Sequence, residues 1–123
     1  MKIELISPSL RDPSNMGKAF HIPQMGLALL AGITPADIDV SITDELIKSI
    51  NYDKAVNLVG ITVTTKTVVR AYEIADEFRR RSVPVVLGGI HPTVAPHESI
   101  QHADAVVIGE AEGTWIQVLS SII

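Results

Sequence analysis

Apolar and polar positions alternate between two rhythms along this chain, and the changes of rhythm mark its elements. Lys2 to Ile6 is a short apolar run closed by Ser7-Pro8, which predicts a first strand. Ser7 to Pro23 then carries three prolines, two further serines, Asn15 and Gly17, the composition of a long irregular segment that usually serves function or stays disordered. Pro23 opens a helix expected over Gln24 to Ala31, rich in leucine and alanine and ended by Gly32. Ile38 to Ile42 alternates cleanly, as a strand with one wet face near a sheet edge does, and Asp44-Glu45 leads into a short helix expected through Ile50. Asn57 to Val63 is a β-branched run suited to a strand buried on both faces, and Thr64-Thr65 offers hydroxyls to the helix that follows. That helix, about Lys66 to Arg81, gathers Val68, Ala71, Tyr72, Ala75 and Phe78 on one face and charges on the other, including Asp76–Arg80 and Glu77–Arg81 at i,i+4. Val83 to Leu87 predicts a fourth strand ended by Gly88-Gly89, Ile90 to His102 a helix-poor connection with Pro92 and Pro96, Ala105 to Ile108 a fifth strand ended by Gly109, and Glu112 to Ile122 a last helix.

Five strands alternating with helices define a single α/β domain with a parallel sheet between two helical layers, and right-handed crossovers restrict it to a three-layer, doubly wound form. The strand order expected is 2-1-3-4-5, with the first strand central and the alternating second strand at the edge. Composition narrows the function. The 123 residues include no cysteine, which excludes disulfides, thiolate metal sites and cysteine nucleophiles within this polypeptide. A net charge of −4 argues against nucleic-acid binding, which is driven by clustered positive charge. Arg79-Arg80-Arg81 sits where cations complement the helix dipole, a simpler reading than an anion site. No apolar run approaches the ~20 residues of a membrane span, and no signal-peptide core follows Met1, so no membrane contact and a cytoplasmic location are expected.

In an open parallel sheet, ligands bind outside the carboxyl ends of the strands where the strand order reverses. That places the candidate chemistry in Ser7 and Pro8 with the loop after them, in Thr62 and Thr64, in Gly88, Gly89, Ile90 and His91, and in Gly109, Glu110, Glu112 and Gly113. Glycines at the ends of the fourth and fifth strands let a bulky ligand approach the backbone, and Gly60 thins the third strand from inside, so a slot between sheet and helices is expected. The G-x-G-x-x-G and P-loop patterns are absent, and a receiver domain's acidic pair and phosphoacceptor are replaced by Ser7 and Thr64. One Trp, two Tyr and two Phe give thin support to a flavin wall. His91, His97 and His102 lack the spacing that sets two ligands on one helical face. His91 is better placed to hydrogen-bond a ligand, with His21 less so.

The segments Pro23 to Ala31, Asp44-Glu45, Leu58 to Thr62, Leu87 to Thr93 and Val107 to Gly113 together resemble, in order and spacing, the N-terminal cobalamin-binding domain of cobalamin-dependent radical SAM enzymes. The resemblance covers nearly the whole chain. It implies a flavodoxin-like fold that holds a corrinoid over the strand ends, with the dimethylbenzimidazole nucleotide tail in the slot beside the sheet. Gly60, Gly88 and Gly89 would make room for the tail, Thr62 would hydrogen-bond its buried nitrogen, its phosphate and ribose would lie toward Gly88 to His91, and Gly109 to Gly113 would close the far side. The wider family's D-x-H-x-x-G motif after the first strand is missing, so no histidine is expected on cobalt. The resemblance further implies a longer parent of methyl-transfer or related type, in which a radical SAM domain, in the same chain or in trans, supplies S-adenosylmethionine and a [4Fe-4S] cluster on a C-x-x-x-C-x-x-C motif. This chain would then be a cofactor-holding fragment with no reaction of its own. Two other readings stand beside it: a non-catalytic Rossmann-like interaction or regulatory domain with a vestigial slot, and a flavin or nucleotide binder.

Overall fold

The computed structural model of the chain describes residues 1–9 and 25–122. Most of the expected irregular segment after the first strand, with His21, therefore lies outside the described residues. The elements run β1 (Lys2–Ser7), α1 (Met25–Ile33), β2 (Asp39–Asp44), β3 (Leu58–Thr62), α2 (Val68–Arg80), β4 (Val85–Gly88), α3 (Ile90–Val94), α4 (Pro96–Ser99), β5 (Ala105–Val106) and α5 (Trp115–Ile122). All strand pairs are parallel and the sheet order is β2-β1-β3-β4-β5, the flavodoxin-like arrangement. The register is set at β1, where Ile3 lies opposite both Val40 and Leu58.

Side chains alternate across the strands, so β1, β3, β4 and β5 each feed two cores. On one face Ile6, Val59, Val63, Val85 and Leu87 pack against Ala71, Ile74, Ala75 and Phe78 of α2. On the other, Ile3, Leu5, Leu58, Val86 and Val107 meet Leu27 and Leu30 of α1 and Trp115 and Leu119 of α5. Gly60 belongs to this second face, between two residues that turn to the first.

Three expected elements differ. The helix after Asp44 does not form. Asp44 instead takes the following amide hydrogens into a turn, Leu46 N–H to its Oδ1 at 3.0 Å and Ile47 and Lys48 N–H to its carbonyl at 3.0 and 2.9 Å. An aspartate that competes for backbone donors favours a turn, and Ile47, 75% exposed, has no core to bury in. The connection from Ile90 to His102 is the opposite case, two short α-helices and a 3₁₀ turn over Ile100–His102. Its prolines do not oppose this, because Pro92 and Pro96 fall in first turns, where the missing N–H has no helical partner to lose. The expected fifth strand also shortens to two residues, with Val107 N–H still donating to Leu87 O at 2.9 Å.

Candidate functional site

A cavity of about 220 Å³ lies between the sheet and the α1–α5 layer and opens at the carboxyl ends of β3, β4 and β5. Its inner wall is almost wholly hydrocarbon: Leu5, Leu27, Leu30, Val86, Val107 and Trp115, with Gly60 as the floor. A Cβ at Gly60 would stand 2.9 Å from Leu5 Cδ2 and 3.7 Å from Trp115 Cη2, so the glycine is what keeps the slot from closing. Trp115 is 2% exposed, and its indole N–H donates to Thr34 Oγ1 at 2.8 Å while that hydroxyl donates to Leu30 O at 2.7 Å. The bond ties the start of α5 to the end of α1 and uses the ring's single polar group outside the slot.

The mouth is shaped by backbone. Gly89 has φ of 108°, and a Cβ there would approach Val63 O to 2.8 Å, so only glycine fits this turn. Thr93 then links two strand ends: its hydroxyl donates to Gly89 O at 2.8 Å and accepts from Gly109 N–H at 3.0 Å. Thr62 reaches the mouth from β3, and Glu110 and Glu112 from the β5–α5 connection. Ile47, Val69, Ile90, Val94 and Ile108, each at least 60% exposed, all follow carboxyl ends of strands.

Of the residues expected to contact a cofactor, Thr62, Gly88, Gly89, Gly109 and Glu110 line the cavity. The others are placed elsewhere. Ser7 and Pro8 are buried at the end of β1, where Ser7 O accepts from Glu45 N–H at 2.9 Å. Thr64 is used in the turn that opens α2, its hydroxyl 3.0 Å from that of Thr67. Ile90 is 68% exposed on α3, and Gly113, also exposed, stays outside the lining while its neighbour Glu112 enters it. His91 departs furthest from expectation. Because α3 begins immediately after β4, the imidazole turns to the α2 side of the sheet, where Nε2 pairs with Glu98 Oε1 at 2.8 Å and the ring stands edge-on to Tyr72. Tyr72 O–H donates to the same Glu98 oxygen at 2.7 Å and its ring stacks on His102, whose Nδ1 meets Asp76 at 2.9 Å. The His91 hydrogen bond, followed by that of Tyr72, holds the Glu98 carboxyl below its ordinary range.

Sequence reasoning missed the walls of the slot, Leu27, Leu30, Val86, Val107 and Trp115, and also two acidic side chains buried on the α2 side. Glu4 is enclosed by Ser41, Thr43 and Lys54, the last at 2.8 Å. Burial pushes its carboxyl upward, but the hydrogen bonds from Lys54, Ser41 and Thr43, with the lysine charge, bring it below the ordinary value. Glu45 holds Arg70 of α2 with Arg70 Nε 3.0 Å from both carboxylate oxygens, and also accepts from Ser9 N–H at 3.0 Å. Arg79, Arg80 and Arg81 are engaged with Asp104, Glu77 and Asp53, as cations on a solvated helix end rather than as a cradle for an anion. Among the described residues no helix is long and apolar enough to cross a membrane.

Residues 19–119 match the B12 binding domain family. The chain belongs to that family. This B12-binding domain is 44% identical over 112 residues to bacteriochlorophyllide d C-8(2)-methyltransferase of Chlorobaculum tepidum, covering 90% of the chain and 24% of that protein. It is 30% identical over 100 residues to bacteriochlorophyllide d C-12(1)-methyltransferase of the same organism, covering 80% of the chain and 22% of that protein. The chain thus spans about a quarter of the length of these curated relatives. No solved structure matches it. Membership supports cobalamin as the cofactor, and the cavity fits the flat nucleotide base of that molecule: the Cβ missing at Gly60 leaves a thin space, and hydrocarbon encloses it.

Proposed function

We propose that this chain is the cobalamin-holding module of a larger methyl-transferring enzyme of the radical SAM type. The observation that carries the reading is the glycine-floored apolar slot opening at the strand ends, inside the residues that match the B12 binding domain. Gly60, Val86, Val107 and Trp115 would enclose the nucleotide base, Thr62 would hydrogen-bond its nitrogen at the mouth, and Gly88, Gly89, Gly109 and Glu110 would border the ribose and phosphate. Ser7, Pro8, Thr64, Ile90, His91 and Gly113 are left out of this revised contact set. The bound corrinoid would supply the methyl-carrying cobalt; this chain's own work is to hold it and keep water from the base. The methyl-transfer part of the reading draws on the relatives, both of which are methyltransferases. The radical SAM part draws on the five-segment resemblance, and with no cysteine in these 123 residues any iron–sulfur cluster must be held by other polypeptide.

Titration with hydroxocobalamin tests the module. Saturable one-to-one comigration with a change in the visible spectrum is expected, and neither effect at high micromolar ligand would leave a vestigial slot as the better reading. For the parent, a reading frame continuing into C-x-x-x-C-x-x-C, with iron and sulfide bound after reconstitution, is the expected result; a parent without the motif and without an interacting radical SAM protein contradicts that part alone.

A further inference from the structure

We propose that the slot selects the lower base of the corrinoid, accepting a benzimidazole and discriminating against a purine. The inference rests on the corrinoid-binding reading and adds to it which corrinoids are held. Its basis is the hydrogen-bonding inventory of the cavity. Leu5, Leu27, Leu30, Val86 and Val107 offer no side-chain donor or acceptor, and the Trp115 N–H is already given to Thr34. Among the described residues that line it, Thr62 alone brings a hydroxyl to the mouth, while Glu110 and Glu112 stay exposed at the rim.

Size does not separate the two ligand classes, since both bases are flat and bicyclic. Polarity does. Dimethylbenzimidazole brings two methyl groups and one free ring nitrogen, a demand that a single hydroxyl meets. Adenine brings an exocyclic amine and further ring nitrogens, and a polar group moved from water into hydrocarbon without a partner loses its hydration with nothing in return. Adenine also leaves cobalt more readily than dimethylbenzimidazole does. The intrinsic ease of detaching the tail therefore favours the purine, and a measured preference for the benzimidazole must come from the protein.

Trp115 is the chain's one tryptophan and stands in the slot wall, so its fluorescence reports occupancy. The 123-residue chain is titrated with hydroxocobalamin, with its adenine-bearing analogue pseudocobalamin, and with cobinamide, which has no base. Cobalamin is expected to bind at least about 10-fold more tightly than either of the others. Gly60→Ala, whose added methyl enters the slot, is expected to weaken cobalamin by about 10-fold and leave cobinamide within about 2-fold. Leu30→Asn, which adds a polar partner to the wall, is expected to narrow the cobalamin to pseudocobalamin ratio by at least about 3-fold, and it serves if Gly60→Ala fails to fold. Equal affinities for cobalamin and pseudocobalamin would overturn the selectivity while leaving corrinoid binding intact. Cobinamide binding as tightly as cobalamin would show that the base does not enter the slot, with the same consequence. Failure of all three ligands to bind would overturn both this inference and the reading it rests on.

Discussion

The two faces of the sheet are built for different work. On the α2 side the core closes completely: Val59, Val63, Val85, Ile74 and Phe78 are each at most 1% exposed, and carboxylates inserted among them are paired, Glu4 with Lys54 and Glu45 with Arg70. On the α1–α5 side residues of similar hydrophobicity leave about 220 Å³ between them, because Gly60 supplies no side chain and the Trp115–Thr34 bond fixes the far wall. Close packing is the ordinary state of a protein interior, so a gap of this size lined by unpaired hydrocarbon forgoes contact energy that the opposite face collects. The lesson is that stability and ligand capacity are divided between the two faces of one sheet, its inner strands contributing alternate positions to each task.

Truncation gives the sharpest contrast. Phe78→Ala opens a hole in the closed face and is expected to cost about 3–5 kcal/mol in urea unfolding, whereas Leu30→Ala borders an existing gap and is expected to cost about 2 kcal/mol, at the low end for leucine. Equal losses would mean that the slot side is as tightly packed as the other. Glu45→Gln, which removes the carboxylate from a partly buried Arg70, is expected to cost about 1.5–3 kcal/mol with little change in cobalamin affinity, because the pair stands outside the slot. Thr93→Val breaks the link between Gly89 and Gly109 and is expected to cost about 1 kcal/mol, with a measurable loss of corrinoid affinity as the mouth loosens.

Acid should also act on one face. Glu4, Glu77 and Glu98, all on the α2 side, have carboxyls held below the ordinary value of 4.5. A carboxyl whose folded value is depressed adds stability that is present above the unfolded value and is lost as pH falls through the folded one. The urea midpoint is therefore expected to drop as pH falls below 4.5, and Glu4→Gln to flatten that drop. A midpoint independent of acid, or a slope unchanged in the variant, would place the titrating groups elsewhere.

Much of this division was written in local chemistry. Alternation in Ile38 to Ile42 and the β-branched run at Asn57 to Val63 specify edge and central strands through burial on one face or two, and strand-ending glycines mark the binding edge through the space they leave. The slot walls were not legible for an equally physical reason. The α1 segment Met25–Ile33 is apolar all round, so periodicity could not tell inward Leu27 and Leu30 from Leu29, which is 53% exposed. Trp115 read as an ordinary helix residue, because its partner Thr34 lies 81 positions away. His91 was misplaced because Pro92 looked like a helix breaker, and a first-turn proline instead permits the helix that turns the imidazole toward Glu98. The burial of Glu4 and Glu45 was not legible because the partners that satisfy them, Lys54 and Arg70, reach them from distant positions.

Methyl-resolved NMR of the chain titrated with hydroxocobalamin tests the division most directly, since each face has its own reporters. Shifts in the methyl signals of Leu5, Leu27, Leu30, Val86 and Val107 and in the Trp115 indole signal, with Val63, Val85 and Leu87 unmoved, are the expected result. Shifts that fall equally on both faces, or only on the α2 side, would contradict the assignment of the slot as the place where the cofactor is held.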